Sequence, residues 1–124
     1  MTAIKERSTL NHNKTASRLQ CPVTYVMNKI GGHWKPIILY QLQNGPKRYS
    51  ELRRAIPPIT EKMLIQHLKQ LEADNLVIRK AEPVVPPFVT YKLSDAGELL
   101  TPVMNAMVAW AQKDHADYVA GLDL

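Results

Sequence analysis

The chain has 124 residues, of which 45% are hydrophobic, and it carries a net charge of +5 with a pI of about 9.4. This length suits one domain with a single core, and the longest apolar run falls far short of the roughly 20 residues that span a bilayer. One cysteine cannot build a disulfide framework, and the first 20 residues lack the apolar stretch of a signal peptide. We therefore expect a cytoplasmic protein that is neither secreted nor held in a membrane.

The positive charge is concentrated in the first three-quarters of the chain. Residues 1–92 carry a net charge of +9, whereas residues 93–124 carry a net charge of −4. Basic residues gathered on one part of a small domain favour a polyanionic partner, because neutralising phosphates releases condensed counterions. Many small basic proteins bind no nucleic acid, so the charge alone leaves this partner open.

The N-terminal third predicts a flexible arm followed by two helices. Residues 1–20 are polar and basic without an apolar period, which is typical of a loose arm. A short helix is expected to begin at Pro22, and the pair Gly31–Gly32 ends it. A second, densely apolar helix follows, with Pro36 in its first turn and Asn44–Pro46 at its end. We expect this second helix to be the most buried.

The middle of the chain predicts a pair of helices joined by the tight turn PPIT. After Ser50, the sequence ELRRAI directs Leu52 and Ile56 inward and Arg53 and Arg54 outward.

The second helix of this pair is expected to begin at the N-cap Thr60 and to run to Asn75. Its apolar stripe and its polar stripe lie on opposite sides of a 3.6-residue wheel. The apolar stripe consists of Leu64, Leu68 and Leu71, and the polar stripe consists of Lys62, Gln66 and Lys69.

The last third predicts a hairpin and a long helix. The β-prone runs LVIRKAEP and FVTYKL are joined by VVPP, whose prolines suit the tip of a hairpin. The helix begins at the N-cap Ser94, and we expect a kink at Pro102 rather than a straight rod. Its wide apolar stripe is a candidate dimer interface made of Leu100, Val103, Met104, Met107 and Trp110. Residues 119–124 are expected to form a tail after a domain of residues 21–118.

The order helix, turn, helix and hairpin predicts a mainly α fold with a small β hairpin (α+β), the winged helix-turn-helix. In such a fold the second helix of the pair enters the major groove, and the hairpin lies along the DNA. Gln66 suits adenine edges, and Lys62 or Lys69 suits guanine or phosphate. The full set of candidate DNA contacts is Arg53, Arg54, Thr60, Lys62, Ile65, Gln66, Lys69, Arg79 and Lys80. The alternative is that these side chains form an ordinary solvated face.

Four blocks of the sequence resemble the HxlR-type family of bacterial winged helix-turn-helix transcription regulators. They are CPV, IGGHWKPIILYQL, RYSELRRAIPPITEKMLIQHLKQLEADNLV and VPPFVTYKLSDAGELL, and the resemblance as a whole runs from about residue 21 to residue 110. The resemblance implies a dimeric regulator of double-stranded DNA that pairs through its terminal helices, with repression as the family tendency. It also implies that TEKMLIQHLKQLE is the recognition helix and that EPVVPPFVTY is the wing.

The sequence departs from the family pattern at several positions. Phe88 stands where a basic or polar residue is common, which weakens the expected contact between wing and phosphate. Thr90 replaces a common glutamate, and His33 replaces a common lysine before the tryptophan. Ile65 occupies a slot often filled by a small polar residue, where it either meets a thymine methyl group or packs.

Cys21 has two interpretations. Some members of the resembled family sense oxidants or electrophiles through a cysteine at this position, and a helix N-terminus together with Arg18 would stabilise the thiolate. A single cysteine requires a cross-subunit disulfide, a mixed disulfide with a small thiol, or an electrophile adduct. The alternative, which the sequence favours, is a partly buried cap residue chosen for its size.

Other functional classes find little support in the sequence. The histidines lack metal-ligand spacing, and no phosphate loop, nucleophile elbow or carboxylate pair is present, so we expect neither an enzyme nor a bound metal or cofactor. Two rival hypotheses stay open. One is a winged-helix module that binds another protein, and the other is a thiol-dependent redox protein that uses Cys21.

Overall fold

The computed structural model describes residues 21–116. The expected basic arm at residues 1–20 and the expected tail at residues 119–124 lie outside this range. The described elements in chain order are α1 (Pro22–Ile30), α2 (Trp34–Leu42), β1 (Lys47–Arg48), α3 (Tyr49–Ala55), α4 (Glu61–Ala73), β2 (Val77–Glu82), β3 (Phe88–Leu93), α5 (Asp95–Glu98) and α6 (Thr101–Asp114). This confirms the predicted α+β class, in which helices predominate over a small antiparallel sheet.

The first two helices lie where the sequence predicts them. Pro22 occupies the first turn of α1, and the helix ends as the Gly31 N–H donates to the Met27 carbonyl at 2.7 Å. A Cβ atom at Gly31 would collide with that same carbonyl, so the close approach requires glycine. Gly32 has a φ of +91°, which lets the chain turn sharply into α2.

A single hydrophobic core joins the helix pair to the sheet and to α6. The leucines of α4 are at most 1% exposed, and the apolar side of α2 packs against them. The buried hydrophobic residues are Ile30, Ile38, Leu39, Leu42, Leu52, Ile56, Ile59, Leu64, Leu68, Leu71, Leu76, Val77, Leu93 and Met104. The periodic apolar pattern of the sequence therefore corresponds to the core.

The sheet contains a strand that the sequence did not predict. The hairpin β2–β3 pairs in antiparallel register from Val77 opposite Leu93 to Glu82 opposite Phe88. The two-residue strand β1 adds to the other side of β3, which gives the order β1-β3-β2. The prediction of a two-stranded hairpin was thus incomplete, because Lys47–Arg48 is too short and too polar to show a strand period.

Helix α3 begins earlier than the sequence suggested. The expected start after Ser50 is wrong, since the helix begins at Tyr49 with Arg48 as its N-cap. The Arg48 backbone N–H donates to Glu51 Oε1 at 2.7 Å, which satisfies a group at the helix entrance that would otherwise lack a partner.

The C-terminal region contains two helices rather than one kinked helix. Ser94 caps α5 as predicted, because its Oγ accepts the Gly97 N–H at 3.0 Å. Helix α5 ends at Glu98, and α6 begins at Thr101 with Pro102 in its first turn. The physical reason is that the proline ring clashes with the carbonyl four residues earlier, which belongs to Glu98. The expected kink at Pro102 is therefore a break.

No helix within residues 21–116 is both long enough and apolar enough to cross a membrane.

Candidate DNA-binding surface

Helix α4 is fixed at both ends by its own sequence. Thr60 is the N-cap, and its Oγ1 accepts the Met63 N–H at 3.1 Å. At the other end the Leu76 N–H donates to the Leu71 carbonyl at 2.9 Å, with Asn75 in the left-handed region at a φ of 59°. This is a Schellman ending, in which asparagine takes the place usually held by glycine. The helix therefore ends at Ala73, two residues before the predicted end.

The side of α4 that faces away from the core carries the predicted polar stripe. Lys62, Gln66 and Lys69 are all exposed, whereas the leucines between them are buried. Ile65 lies on the same side and is 39% exposed, so its side chain is accessible to a partner. The arrangement offers two cations, one amide and one apolar side chain along one face of a helix, which suits phosphates, base edges and a thymine methyl group.

The two arginines of α3 differ in their surroundings. Arg54 is exposed as predicted, but Arg53 is half-buried and its Nη1 is buried without a hydrogen-bond partner in the described part of the chain. Burial raises the pKa of Tyr49, the charge of Glu61 raises it further, and Arg53 opposes both effects. The prediction that both arginines point outward is therefore wrong for Arg53, whose half-buried side chain lies beside Tyr49 of the same helix.

The wing carries exposed cations on both faces of the sheet, because the adjacent residues Arg79 and Lys80 of β2 point to opposite faces. Arg79 and Lys80 are exposed, and Lys80 Nζ lies 3.7 Å from Glu82 Oε1. At the other edge of β3, strand β1 places the Arg48 guanidinium over the Phe88 ring, 3.8 Å from its centroid. Arg48 was not among the predicted DNA contacts. The only local signal for it was the pair of cations Lys47 and Arg48 just before a helix.

Cys21 lies at the entrance to α1, half-buried as a residue. The Thr24 side chain lowers the pKa of the Cys21 thiol, and the backbone N–H groups of Thr24 and Val23 lower it further. These groups stabilise the thiolate because they point at the sulfur from the first turn of the helix. Arg18, the predicted additional stabiliser, lies outside the described residues.

The candidate dimer residues of the last helix divide into two groups. Met104 is only 3% exposed and belongs to the core of the subunit, and Leu100 packs against that core. Val103, Met107 and Trp110 are exposed, with Trp110 exposed at 67%. Helix α1 adds a second group of exposed apolar side chains, namely Val23, Tyr25 and Met27.

Within residues 21–116, no group of three or more histidine, cysteine or acidic side chains is placed to hold a metal ion.

Comparison with known proteins identifies relatives of the whole described domain. The model of the HxlR-like helix-turn-helix family matches residues 29–118. The uncharacterized HTH-type transcriptional regulator YkvN of Bacillus subtilis is 45% identical over 104 residues, which cover 81% of this chain and 88% of YkvN.

Two solved structures of similar sequence share this fold. The redox regulator HypR in its oxidized form is 38% identical with a TM-score of 0.71, and the match covers 84% of this chain and 100% of that one. The reduced form of the transcriptional regulator YodB from B. subtilis is 37% identical with a TM-score of 0.67, covering 76% and 93%. Helix pair, wing and sequence agree, and the chain belongs to the HxlR-like helix-turn-helix family.

Proposed function

We propose that this protein, which is a transcriptional regulator of the helix-turn-helix type, binds double-stranded DNA as a homodimer in the cytoplasm. Helix α4 enters the major groove, and residues 77–93 form the wing. The observation that carries this proposal is the division of α4 into a leucine side that is buried and a polar side that is exposed. A helix held in this way presents its outer side chains rigidly to a groove. We propose repression as its mode of action, because repression is the tendency of the family.

The proposed contacts are of two kinds. Gln66 and Ile65 read base edges, with the amide on adenine and the apolar side chain on a thymine methyl group. The remaining residues contact the phosphate backbone of the DNA or lie at the edge of the interface. They are Arg53, Arg54, Thr60, Lys62, Lys69, Arg79 and Lys80. Among these, Arg53 is half-buried, so its contact with phosphate requires the side chain to move outward.

Selection of bound duplexes from a random pool tests this proposal. Gln66→Ala should relax the preference at one base pair and cost about 1–3 kcal/mol, whereas Lys69→Ala should weaken binding to all sequences alike. Gln112→Ala is the matched control, because Gln112 is an exposed glutamine of α6, outside the helix pair. If the wild-type protein binds random duplex with no salt dependence, or not at all, the DNA-binding proposal fails in favour of a protein-interaction module.

The proposed dimer is formed by the exposed apolar residues of α1 and α6. Exposed large apolar side chains that gather into a patch mark an interaction site, and α1 and α6 both carry such side chains. Trp110→Ala should shift the protein from dimer to monomer in sedimentation equilibrium, because Trp110 offers the largest exposed apolar side chain of α6. Val85→Ala is the control, since Val85 is 98% exposed but lies at the wing tip. A wild-type protein that is monomeric at all concentrations would exclude the dimer.

We further propose that Cys21 modulates DNA binding through its thiol. Two observations support this: the thiol has a lowered pKa, and HypR, a redox regulator, is similar over most of this chain. With a disulfide of a small thiol, the Cys21 thiolate would attack one sulfur, form a mixed disulfide and release the other half as a thiolate. The reaction is stoichiometric, so the protein is a sensor and not an enzyme.

Oxidised glutathione provides the test of this thiol hypothesis. Mass spectrometry should find one glutathionyl group per wild-type chain and none on Cys21→Ser, and only the wild-type protein should change its affinity for DNA. An equal change in both proteins would exclude Cys21 as the sensor. Repeated turnover of the disulfide by the wild-type protein would instead support a thiol enzyme.

A further inference from the structure

Strand β1 places the cation of Arg48 against the wing at Phe88. This is the position where the family commonly has a basic or polar residue. Phe88 opens β3, and its position led us to expect a weak contact between wing and phosphate. In the structure, however, the Arg48 guanidinium carbon lies 3.8 Å from the centroid of the Phe88 ring. At this distance the cation lies directly over the face of the ring, which attracts it electrostatically. The Phe88 ring of β3 thus holds next to it the positive charge of Arg48, which comes from β1.

Strand register puts Arg48 on the exposed face of the sheet. Arg48 and Lys80 are both opposite Thr90, one from each side, so the three side chains form one row across β1, β3 and β2. Phe88 lies two residues before Thr90 and therefore shares this face. The exposed face of the sheet consequently carries two cations in one row, two residue pairs before the end of the hairpin ladder at Glu82 and Phe88.

The two cations of this row differ in how their charge is balanced. Lys80 Nζ lies 3.7 Å from Glu82 Oε1, so its charge is partly neutralised within the wing. Glu51 accepts the backbone N–H of Arg48, and no described carboxylate forms an ion pair with the Arg48 guanidinium. Arg48 is also exposed, so a phosphate can reach its charged group.

We propose that Arg48, held by the Phe88 ring, is the residue through which the sheet binds a phosphate of the DNA backbone. The ring contacts the face of the guanidinium, and the N–H donors lie in the plane of the group, where they remain free for two phosphate oxygens. Arg48 is the binding residue, and Phe88 is a positioning residue. This inference rests on the proposed binding of duplex DNA. It gives Phe88, which departs from the family pattern, a role in that binding.

A phosphate contact has a measurable signature that a base contact lacks. Each neutralised phosphate contributes about 0.9 to the slope of the logarithm of affinity against the logarithm of salt concentration. Removing one such contact should lower the affinity for every duplex alike, by about five- to tenfold near 0.1 M salt, and should reduce the slope by about 1.

The experiment is a titration of a fluorescent random-sequence duplex at several salt concentrations with wild-type protein and four variants. Arg48→Ala should show the fold-loss and the reduced slope, and Arg48→Lys should fall between it and the wild type, because lysine keeps the charge without the planar stack. Phe88→Leu should weaken binding in the same direction. Lys113→Ala is the control, since it removes one exposed charge from the end of α6. It should leave the slope unchanged.

A double variant separates positioning from an independent effect of each residue. If Phe88 acts through Arg48, the variant Arg48→Ala/Phe88→Leu should bind no more weakly than Arg48→Ala alone. Additive losses would overturn the positioning role of Phe88. Thermal unfolding checks that each variant is folded. If Arg48→Ala is unfolded, the slope of affinity against salt concentration for Arg48→Lys decides whether Arg48 contacts a phosphate.

The titration distinguishes a failure of the DNA-binding proposal from a failure of the inference about Arg48 alone. A wild-type protein without salt-dependent binding would overturn the DNA-binding function and this inference together. A wild-type protein that binds with a steep slope, which Arg48→Ala leaves unchanged, would overturn this inference alone.

Discussion

Thr60 is the residue that decides where α4, the proposed recognition helix, begins. Its Oγ1 accepts the Met63 N–H at 3.1 Å, and the PPIT turn delivers it in extended conformation at the entrance to α4. The cap satisfies one of the N–H groups that have no partner inside the helix. Because DNA contacts are expected from the first turns of α4, the same hydrogen bond that stabilises the fold also orients the proposed reading surface.

Replacing Thr60 tests the contribution of this cap. Thr60→Ala should lower the free energy of unfolding by about 1 kcal/mol, because the Met63 N–H loses its acceptor. Thr60→Ser keeps the hydroxyl and should stay close to the wild type. Urea denaturation followed by circular dichroism measures both variants. Equal unfolding midpoints for alanine and serine would show that the cap contributes nothing.

His67 is a residue of α4 whose titration affects the stability of the helix. Its Nδ1 is buried without a hydrogen-bond partner among the described residues. Burial lowers the pKa of His67 below its usual value of 6.5, the charge of Lys35 lowers it further, and Gln70 opposes the shift. The unfolded chain therefore binds a proton at a higher pH than the folded chain does.

This shift predicts a loss of stability at acid pH. Between the lowered folded pKa and the unfolded value of 6.5, the unfolded state holds more protons, so stability rises with pH. As the pH falls through this window, the free energy of unfolding should decrease. His67→Gln should flatten this part of the curve of urea midpoint against pH. If the variant retains the wild-type slope below pH 6.5, His67 is not the cause.

Local chemistry explains which residue-level features the sequence could predict. The caps Thr60 and Ser94 act on N–H groups three residues away, so a short window of sequence contains both partners. The contact of Arg48 with Phe88 joins residues 40 positions apart through a sheet register, and no local pattern encodes it. The half-burial of Arg53 depends on how α3 packs against the rest of the fold, because Arg53 lies beside Tyr49, which also feels the charge of Glu61 at the start of α4.

Helix α4 is the element in which folding and recognition are separated by face. Leu68 is 1% exposed in the core, whereas its neighbour Lys69 is exposed to solvent. Leu68→Ala should lower the free energy of unfolding by about 2–5 kcal/mol through loss of apolar contacts and a residual cavity. Lys69→Ala should change stability by less than about 0.5 kcal/mol but weaken DNA binding.

Denaturation and duplex titration on the same two variants provide the measurement. A large loss of stability in Lys69→Ala would mean that the outer face of α4 takes part in the fold, which would contradict the division of the helix into two faces. A Leu68→Ala variant as stable as the wild type would also contradict this division, because the inner face of α4 would then contribute nothing to the fold.

Element boundaries were predictable where one residue decides them and not where two effects compete. Glycine and serine positions located the end of α1 and the start of α5. At Pro102 the sequence predicted a proline inside a long helix, and the structure places it in the first turn of a new one. The Leu100 N–H donates to the Gly97 carbonyl at 3.0 Å, a tight final turn that separates the two helices. Strand β1 has no signal of its own, since its existence depends on β3.

At the scale of the whole molecule, α1 connects the proposed sensor and dimer surface to the recognition helix. Cys21 lies at its first end, and Ile30 in the core and Lys29 at the surface lie at the other end. Lys29 Nζ is 3.6 Å from the Asp74 carboxylate at the end of α4. An exposed ion pair contributes little, at most about 1 kcal/mol. Any coupling between α1 and the rest of the subunit must therefore rest on packing in the core, to which Ile30 and Val26 contribute.

A two-fold dimer makes a prediction about the operator. Symmetry would place two copies of α4 in major grooves on one side of the DNA, about 34 Å (one helical turn) or a multiple of it apart, and predicts an inverted repeat. Once an operator has been selected, inserting about half a helical turn between its half-sites would turn one half-site to the opposite side of the duplex. Affinity should then fall to the level of a single half-site, because one dimer no longer reaches both.

A point substitution between the half-sites, with no change in length, is the matched control for this insertion. It should leave affinity close to that of the selected operator, apart from any effect on bending. Titration of the two duplexes at one salt concentration gives the comparison. If the lengthened operator binds as tightly as the original, the two α4 helices are not held in a fixed relation, and a rigid symmetric dimer cannot be the form that binds DNA.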